Sequence, residues 1–241
     1  MLVIKKIIMV FVFLLLIFGY SKIAFSQDVK IDLDSLMTET QKMSDDPDAM
    51  TLVWWIPDEF WIATAEGDPT FTEEDLTDVL NTLQPYTLFA IVKGKIGAFG
   101  GVTYTSGSDI KKNILLVGTD GIHYQPISDE NIEANAKNLI MMMKPIFANM
   151  LGGMGENCHF LLFPAKNIKG QNIANANDNG SISILLENEE FRWRLPLDSV
   201  LPPKVCPNCG EKCNRAWNYC PWCGTSLKIK KKPDELNTIS L

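Results

Sequence analysis

Residues 51–57 read TLVWWIP, a run of β-branched and aromatic side chains stopped by a proline. A run this short is below the length of a helix, and its residue types favour extended backbone, so it predicts a buried strand. What surrounds it fixes the class. Upstream, residues 27–50 are polar and end in MSDDPDAM, which reads as an arm with room for a short helix near Leu36–Met43. Downstream, PDEFWIATAEG places Pro57 at a helix opening, with Asp58 and Glu59 in the first turn, where acids favour the helix dipole. In TEEDLTDVLNTLQP, Thr72 and Asp75 form a capping-box start. Leu76, Val79, Leu80 and Leu83 share a face, and Pro85 ends the helix.

Further along, TLFAIVKGKIGAFGGVTYT predicts two strands turning at Lys93-Gly94-Lys95, and NILLVGTDGIHYQPI a hairpin turning at Asp120-Gly121. Ser128 is placed as the cap of a longer helix with Ile132, Ala136, Leu139, Ile140, Met143, Phe147 and Met150 on one face and a kink at Pro145. CHFLLFP (158–164) predicts another buried strand. AKNIKGQNIANANDNG predicts a long exposed loop. SISILLENEEFRWRL predicts a hairpin with Phe191, Trp193 and Leu195 inward and Arg192 and Arg194 outward. PLDSVLPPK then reads as a stiff connection. Strands joined by tight turns, with helices between them, predict an α+β domain over 51–200 with a largely antiparallel sheet.

The first residues carry Lys5 and Lys6, an apolar run from Ile7 to Phe18, and small residues Ala24 and Ser26. That is the pattern of a signal peptide spanning 1–26, cleaved near Ser26/Gln27, which would send the chain to the periplasm or outside the cell without a stable membrane anchor. The chain carries 22 basic and 29 acidic residues, net −7, and removal of Lys5, Lys6 and Lys22 makes the rest more acidic still. Such a charge disfavours nucleic acid as a partner. Against this trend, Lys204, Lys212, Arg215, Lys228, Lys230, Lys231 and Lys232 face only Glu211, so a basic module follows an acidic body, and residues 227–241 read as a basic, flexible tail.

That module contains CPNCGEKCNRAWNYCPWCG (206–224). Cys206 with Cys209, and Cys220 with Cys223, are two C-x-x-C units, each followed by a glycine (Gly210, Gly224) that permits the positive φ of a tight turn. Two such turns face to face offer four sulfurs in the tetrahedral arrangement Zn²⁺ accepts. The paired units CPNCG and CPWCG resemble the zinc-ribbon family over residues 204–226. The resemblance implies Cys206, Cys209, Cys220 and Cys223 as zinc ligands and a small β-ribbon that supports folding and protein contact. The body resembles uncharacterised bacterial exported proteins, a likeness that implies no activity. Outside the cytoplasm the same cysteines could instead form disulfides, or CPWC could act as a redox pair. The duplicated unit and the lack of a strand-then-helix context favour metal, and bound zinc would shield its thiolates from oxidants. Cys213 suits neither turn, and a Cys158–Cys213 disulfide would tie module to body, although Cys158 also fits a small buried apolar residue.

The body offers few chemical groups. Cys158 and His159 are neighbours on a predicted strand and point to opposite faces, while His123 follows a hairpin turn. The glycine-rich stretches GAFGGVTYTSGS (97–108) and MLGGMGENCH (150–159) match neither phosphate-loop nor dinucleotide patterns. Trp54, Trp55 and Trp61 read as core. No catalytic residue or further cofactor is assigned. The expectation is an exported, non-enzymatic binding or assembly module with a structural zinc and a protein partner. Its alternatives are a thiol–disulfide oxidoreductase using CPWC and a hydrolase whose site lies in the body.

Overall fold

The computed structural model describes residues 30–227. The stretch read as a signal peptide, 1–26, and all but the first residue of the stretch read as a tail, 227–241, lie outside the described residues. The described chain has six α-helices and mostly antiparallel sheets, the α+β class expected.

The stretch 51–57 lies in β2 (Ala49–Ile56). It pairs with β3 (Tyr86–Ile96) along its whole length and with the short β1 (Gln41–Met43) on its other side. The far edge of β3 is shared, with β7 (His159–Pro164) along Tyr86–Ile91 and β4 (Val102–Tyr104) along Gly94–Ile96. Successive side chains of a strand point to opposite faces, so Trp54 and Trp55 look in opposite directions and both are fully buried. On Trp54's side lie Phe60 of α2 (Asp58–Gly67) and Phe147 of α5 (Ala134–Leu151), at ring distances of 5.5 and 5.0 Å. On the other side Trp55 meets Trp193, 6.4 Å away. Trp193 belongs to a second sheet of order β6-β5-β8-β9. Its strands are β5 (Ile114–Val117), β6 (His123–Tyr124), β8 (Gly180–Leu186) and β9 (Glu189–Leu195). Helices, a five-stranded sheet and a four-stranded sheet thus form three layers. Each edge-on aromatic pair in them is worth about 0.5–1.5 kcal/mol beyond its buried area.

The capping box stands as read. Thr72 and Asp75 exchange hydrogen bonds at the start of α3 (Glu73–Leu83). The hairpin at Asp120-Gly121 pairs β5 with β6, and Gly121 has φ 74°. The last hairpin pairs β8 with β9, with Phe191, Trp193 and Leu195 buried and Arg192 and Arg194 exposed.

Several local expectations change. No turn forms at Lys93-Gly94-Lys95, because β3 runs straight through Gly94 and the chain reverses between Gly97 and Gly101. A Cβ on Gly94 would come within 2.8 Å of Val102, so this glycine serves close strand packing rather than a bend. The polar stretch before residue 50 is not merely an arm. It supplies α1 (Leu33–Thr40), capped by Asp32, and then β1, which pairs with β2. Leu36 on α1 is wholly buried.

The long helix begins at Ala134, with Glu133 at its N-cap position making no side-chain capping bond, after a separate 3₁₀ turn that Ser128 precedes. Pro145 lies inside that helix, and Met150 is exposed rather than on the buried face. The Asn-rich loop is anchored, not free, since Ile173 and Ala176 are buried and their carbonyls accept from Thr119 and Leu197. Two short helices complete the body, α4 (Gly107–Lys112) and α6 (Gly153–Glu156). The connection after β9 also belongs to the core, through buried Leu197 and Val200.

Candidate metal centre

The cysteine module is built on a two-stranded ribbon, β10 (Lys204–Val205) against β11 (Lys212–Cys213). Its two turns repeat one hydrogen-bond pattern. Gly210 N–H donates to the Cys206 carbonyl at 3.0 Å, and Cys206 N–H donates to the Glu211 carbonyl at 2.8 Å. In the second turn Gly224 N–H donates to Cys220 at 2.9 Å, and Cys220 N–H to Thr225 at 2.8 Å. Both closures need a left-handed residue, and Gly210 and Gly224 supply it with φ 74° and 71°.

This repetition brings four sulfurs together. The Sγ atoms of Cys206, Cys209, Cys220 and Cys223 all lie within 4.8 Å of one another. The Cys206–Cys223 separation is 3.5 Å and Cys209–Cys220 is 3.6 Å. A tetrahedron with metal–sulfur bonds of about 2.3 Å has edges of roughly 3.8 Å, so the quartet fits a four-sulfur ion site with little adjustment. A disulfide needs about 2.05 Å, and all six cysteines are free. Cys206 and Cys220 are buried on the ribbon's inner side, whereas Cys209 and Cys223 face outward. With Cys213 and Leu227, the two inner cysteines form the module's own small core.

The sulfurs differ electrostatically. The Thr225 hydroxyl, 3.2 Å from Cys223 Sγ, then the Thr225 backbone and the Asn208 side chain, pull the Cys223 thiol down to about 5. At Cys209 a backbone hydrogen bond at Glu211 pulls downward. Desolvation and the adjoining sulfurs of Cys206, Cys223 and Cys220 outweigh it and hold the thiol up at about 12. Four close thiols cannot all ionise without a cation between them. A divalent ion would supply that charge, and would fix the two turns against each other.

Cys213 lies outside the quartet, buried, with its sulfur 3.6 Å from the Glu211 carbonyl. Cys158 is buried in the body, where desolvation pushes its thiol up to about 12. No Cys158–Cys213 disulfide forms. His159 packs against Gly107, where a Cβ would come within 2.6 Å of its ring nitrogen, and burial lowers its pKa. His123 is exposed on β6. Among the described residues neither histidine joins a metal-type cluster.

Asp58 and Glu59 have surroundings the sequence did not reveal. They line a cavity of about 240 Å³ with Gln84, Tyr86, Lys166 and Asn175. Desolvation raises both carboxyls, and Asn177 donates to Glu59 at 2.7 Å. The signal for this site is tertiary, because the cavity wall comes from segments distant in sequence.

The module is fastened to the body at one linker. Arg215 Nη1 donates to the carbonyls of Ser199 and Leu201, at 3.1 and 2.6 Å, and Arg215 N–H donates to the Asp198 carboxylate. Lys204 donates to the Trp217 carbonyl at 2.8 Å, so two of the module's cations serve internal contacts.

No family model matches the chain, and neither a curated protein nor a solved structure does. No helix among the described residues is long and apolar enough to cross a membrane.

Proposed function

We propose that the protein is an exported, non-enzymatic binding or assembly module whose C-terminal zinc ribbon presents an aromatic contact face. The observation that carries this reading is the convergence of four sulfurs from two identically built turns, with Cys206–Cys223 at 3.5 Å and Cys209–Cys220 at 3.6 Å reaching from one turn to the other. A redox pair works through the two sulfurs of one C-x-x-C. A tetrahedral ion instead draws sulfurs from both, which supports Zn²⁺ as the occupant and a structural role for it. The contact role is supported by the side chains the ribbon leaves in solvent. Val205, Tyr219 and Trp222 are exposed at 58%, 61% and 73%, and Trp217 is partly so. Large apolar side chains concentrated on so small a unit match the composition of protein-contact surfaces. Export is supported by the signal-like segment at residues 1–26.

The test is metal analysis with free-thiol counting on the purified protein, alongside an insulin-reduction assay. The expected result is about one zinc per chain, none in Cys220→Ser, and no disulfide turnover by either form. Absence of metal with the four sulfurs joined in pairs, or turnover abolished by Cys220→Ser, would reject the reading in favour of disulfides or a thiol oxidoreductase.

A further inference from the structure

Helix α5 carries more exposed apolar surface than the fold requires. Its buried ridge is Ala136, Met143 and Phe147, yet Met142, Ile146 and Met150 are 63%, 58% and 48% exposed. At about 100° per residue, Leu139, Met142, Ile146 and Met150 form a second stripe beside the buried ridge, and Lys137 and Lys144 fall on the opposite side. This stripe lies next to a groove of about 750 Å³ between α3 and α5. Phe71, Val79, Leu139 and Met142 give the groove an apolar floor, and Asp75, Asp78 and Glu133 give it an acidic rim. No lysine or arginine lines it.

We propose that the α3–α5 groove is a docking site for a cationic amphipathic α-helix of a partner protein. The charge of the rim selects the partner. Three carboxylates without a basic residue leave a negative potential that only a cationic occupant neutralises. The floor selects the form. Leu139 and Met142 on the floor continue beyond the groove as the exposed Ile146 and Met150 of the same helix, a strip that matches anchor residues at i, i+3, i+4 and i+7 of a helix laid beside it. Methionine suits such a surface because its unbranched, polarisable side chain repacks around different anchors at low cost. A second copy meeting this one groove to groove would bring the same three carboxylates to the contact, and an anionic membrane surface would be repelled likewise. The groove shares no residue with the cysteine module, so the proposal stands apart from the zinc reading.

The experiment is titration of the metal-loaded protein with a labelled 14-residue Leu/Lys peptide designed as an amphipathic helix, followed by fluorescence anisotropy. A scrambled peptide of identical composition is the control. The expected result is saturable binding of the helical peptide, weaker binding of the scrambled one, and about a tenfold loss in both Met142→Lys and Asp78→Lys. Both positions are exposed, so circular dichroism should show unchanged folding. Equal binding of the two peptides, or affinity unchanged by both substitutions, would overturn the proposal, leaving only general charge attraction. A concentration-dependent dimer abolished by Met142→Lys would also overturn it, because the occupant would then be a second copy.

Discussion

Glu39 and Arg215 hold one linker from its two sides. The Glu39 carboxylate accepts from the N–H groups of Asp198 and Ser199, at 2.7 and 2.9 Å, and from the Ser199 hydroxyl at 2.7 Å. Arg215 takes the carbonyls of Ser199 and Leu201. The body satisfies the donors of this segment and the module satisfies its acceptors.

Removing either partner should therefore have a different signature. Glu39→Ala leaves partly buried donors unpaired, which costs about 1–3 kcal/mol and should lower the urea midpoint of the body. Arg215→Ala should leave that midpoint nearly unchanged and speed hydrogen exchange at the amides of Leu201, Lys204 and Val205. Arg215→Lys should not rescue it, because a single ammonium lacks the planar fork that reaches two carbonyls.

Acidification should release metal, and the sulfurs set the slope. Metal binds thiolate, so any sulfur protonated in the free module must lose a proton on binding. Cys223, held down at about 5, is already ionised at neutral pH and contributes no dependence there. Cys209, held up at about 12, is protonated throughout that range. Affinity should thus fall about tenfold or more per unit drop in pH through Cys209, roughly a hundredfold or more between pH 7.5 and 5.5, with any other sulfur protonated in the free module adding to the slope. Competition with a chromophoric chelator, corrected for the chelator's own protonation, measures this. A flat profile would contradict a four-thiolate site.

Gly155→Ala should destabilise the body without touching the module. An added Cβ would lie 2.2 Å from the Phe147 carbonyl oxygen and 2.5 Å from the Ala148 Cα, both backbone atoms that a rotamer change cannot move. Overpacking of this kind costs about 1–3 kcal/mol. Chemical denaturation should show the loss while metal content stays the same.

The legible parts of this fold were those whose signal is local. The run at 51–57, the box at Thr72 and Asp75, and the alternation around Trp193 each state their structure within a few residues. Gly94 misled because a glycine between two lysines looks like a turn, while its reason is the approach of Val102 across the sheet. The polar segment holding Glu39 and Thr40 looked like an arm for a related reason. Its polar groups are partnered by residues far away in the chain. At the metal centre, the four ligand candidates and two turn glycines were readable from spacing, because each turn is self-contained. The Asp58–Glu59 cavity and the α3–α5 groove were not, since each is walled by several segments.

Thr40 shows what such long-range partnering entails. Its hydroxyl and carbonyl accept the indole N–H groups of Trp54 and Trp193, at 3.2 and 2.9 Å, and the neighbouring Glu39 binds the linker. During synthesis α1 emerges long before Trp193 and the linker, so the Thr40 carbonyl and the Glu39 carboxylate find their partners only when nearly the whole body has been made. Closure of such distant pairs should make folding slow and all-or-none, with α1 among the last elements to be secured.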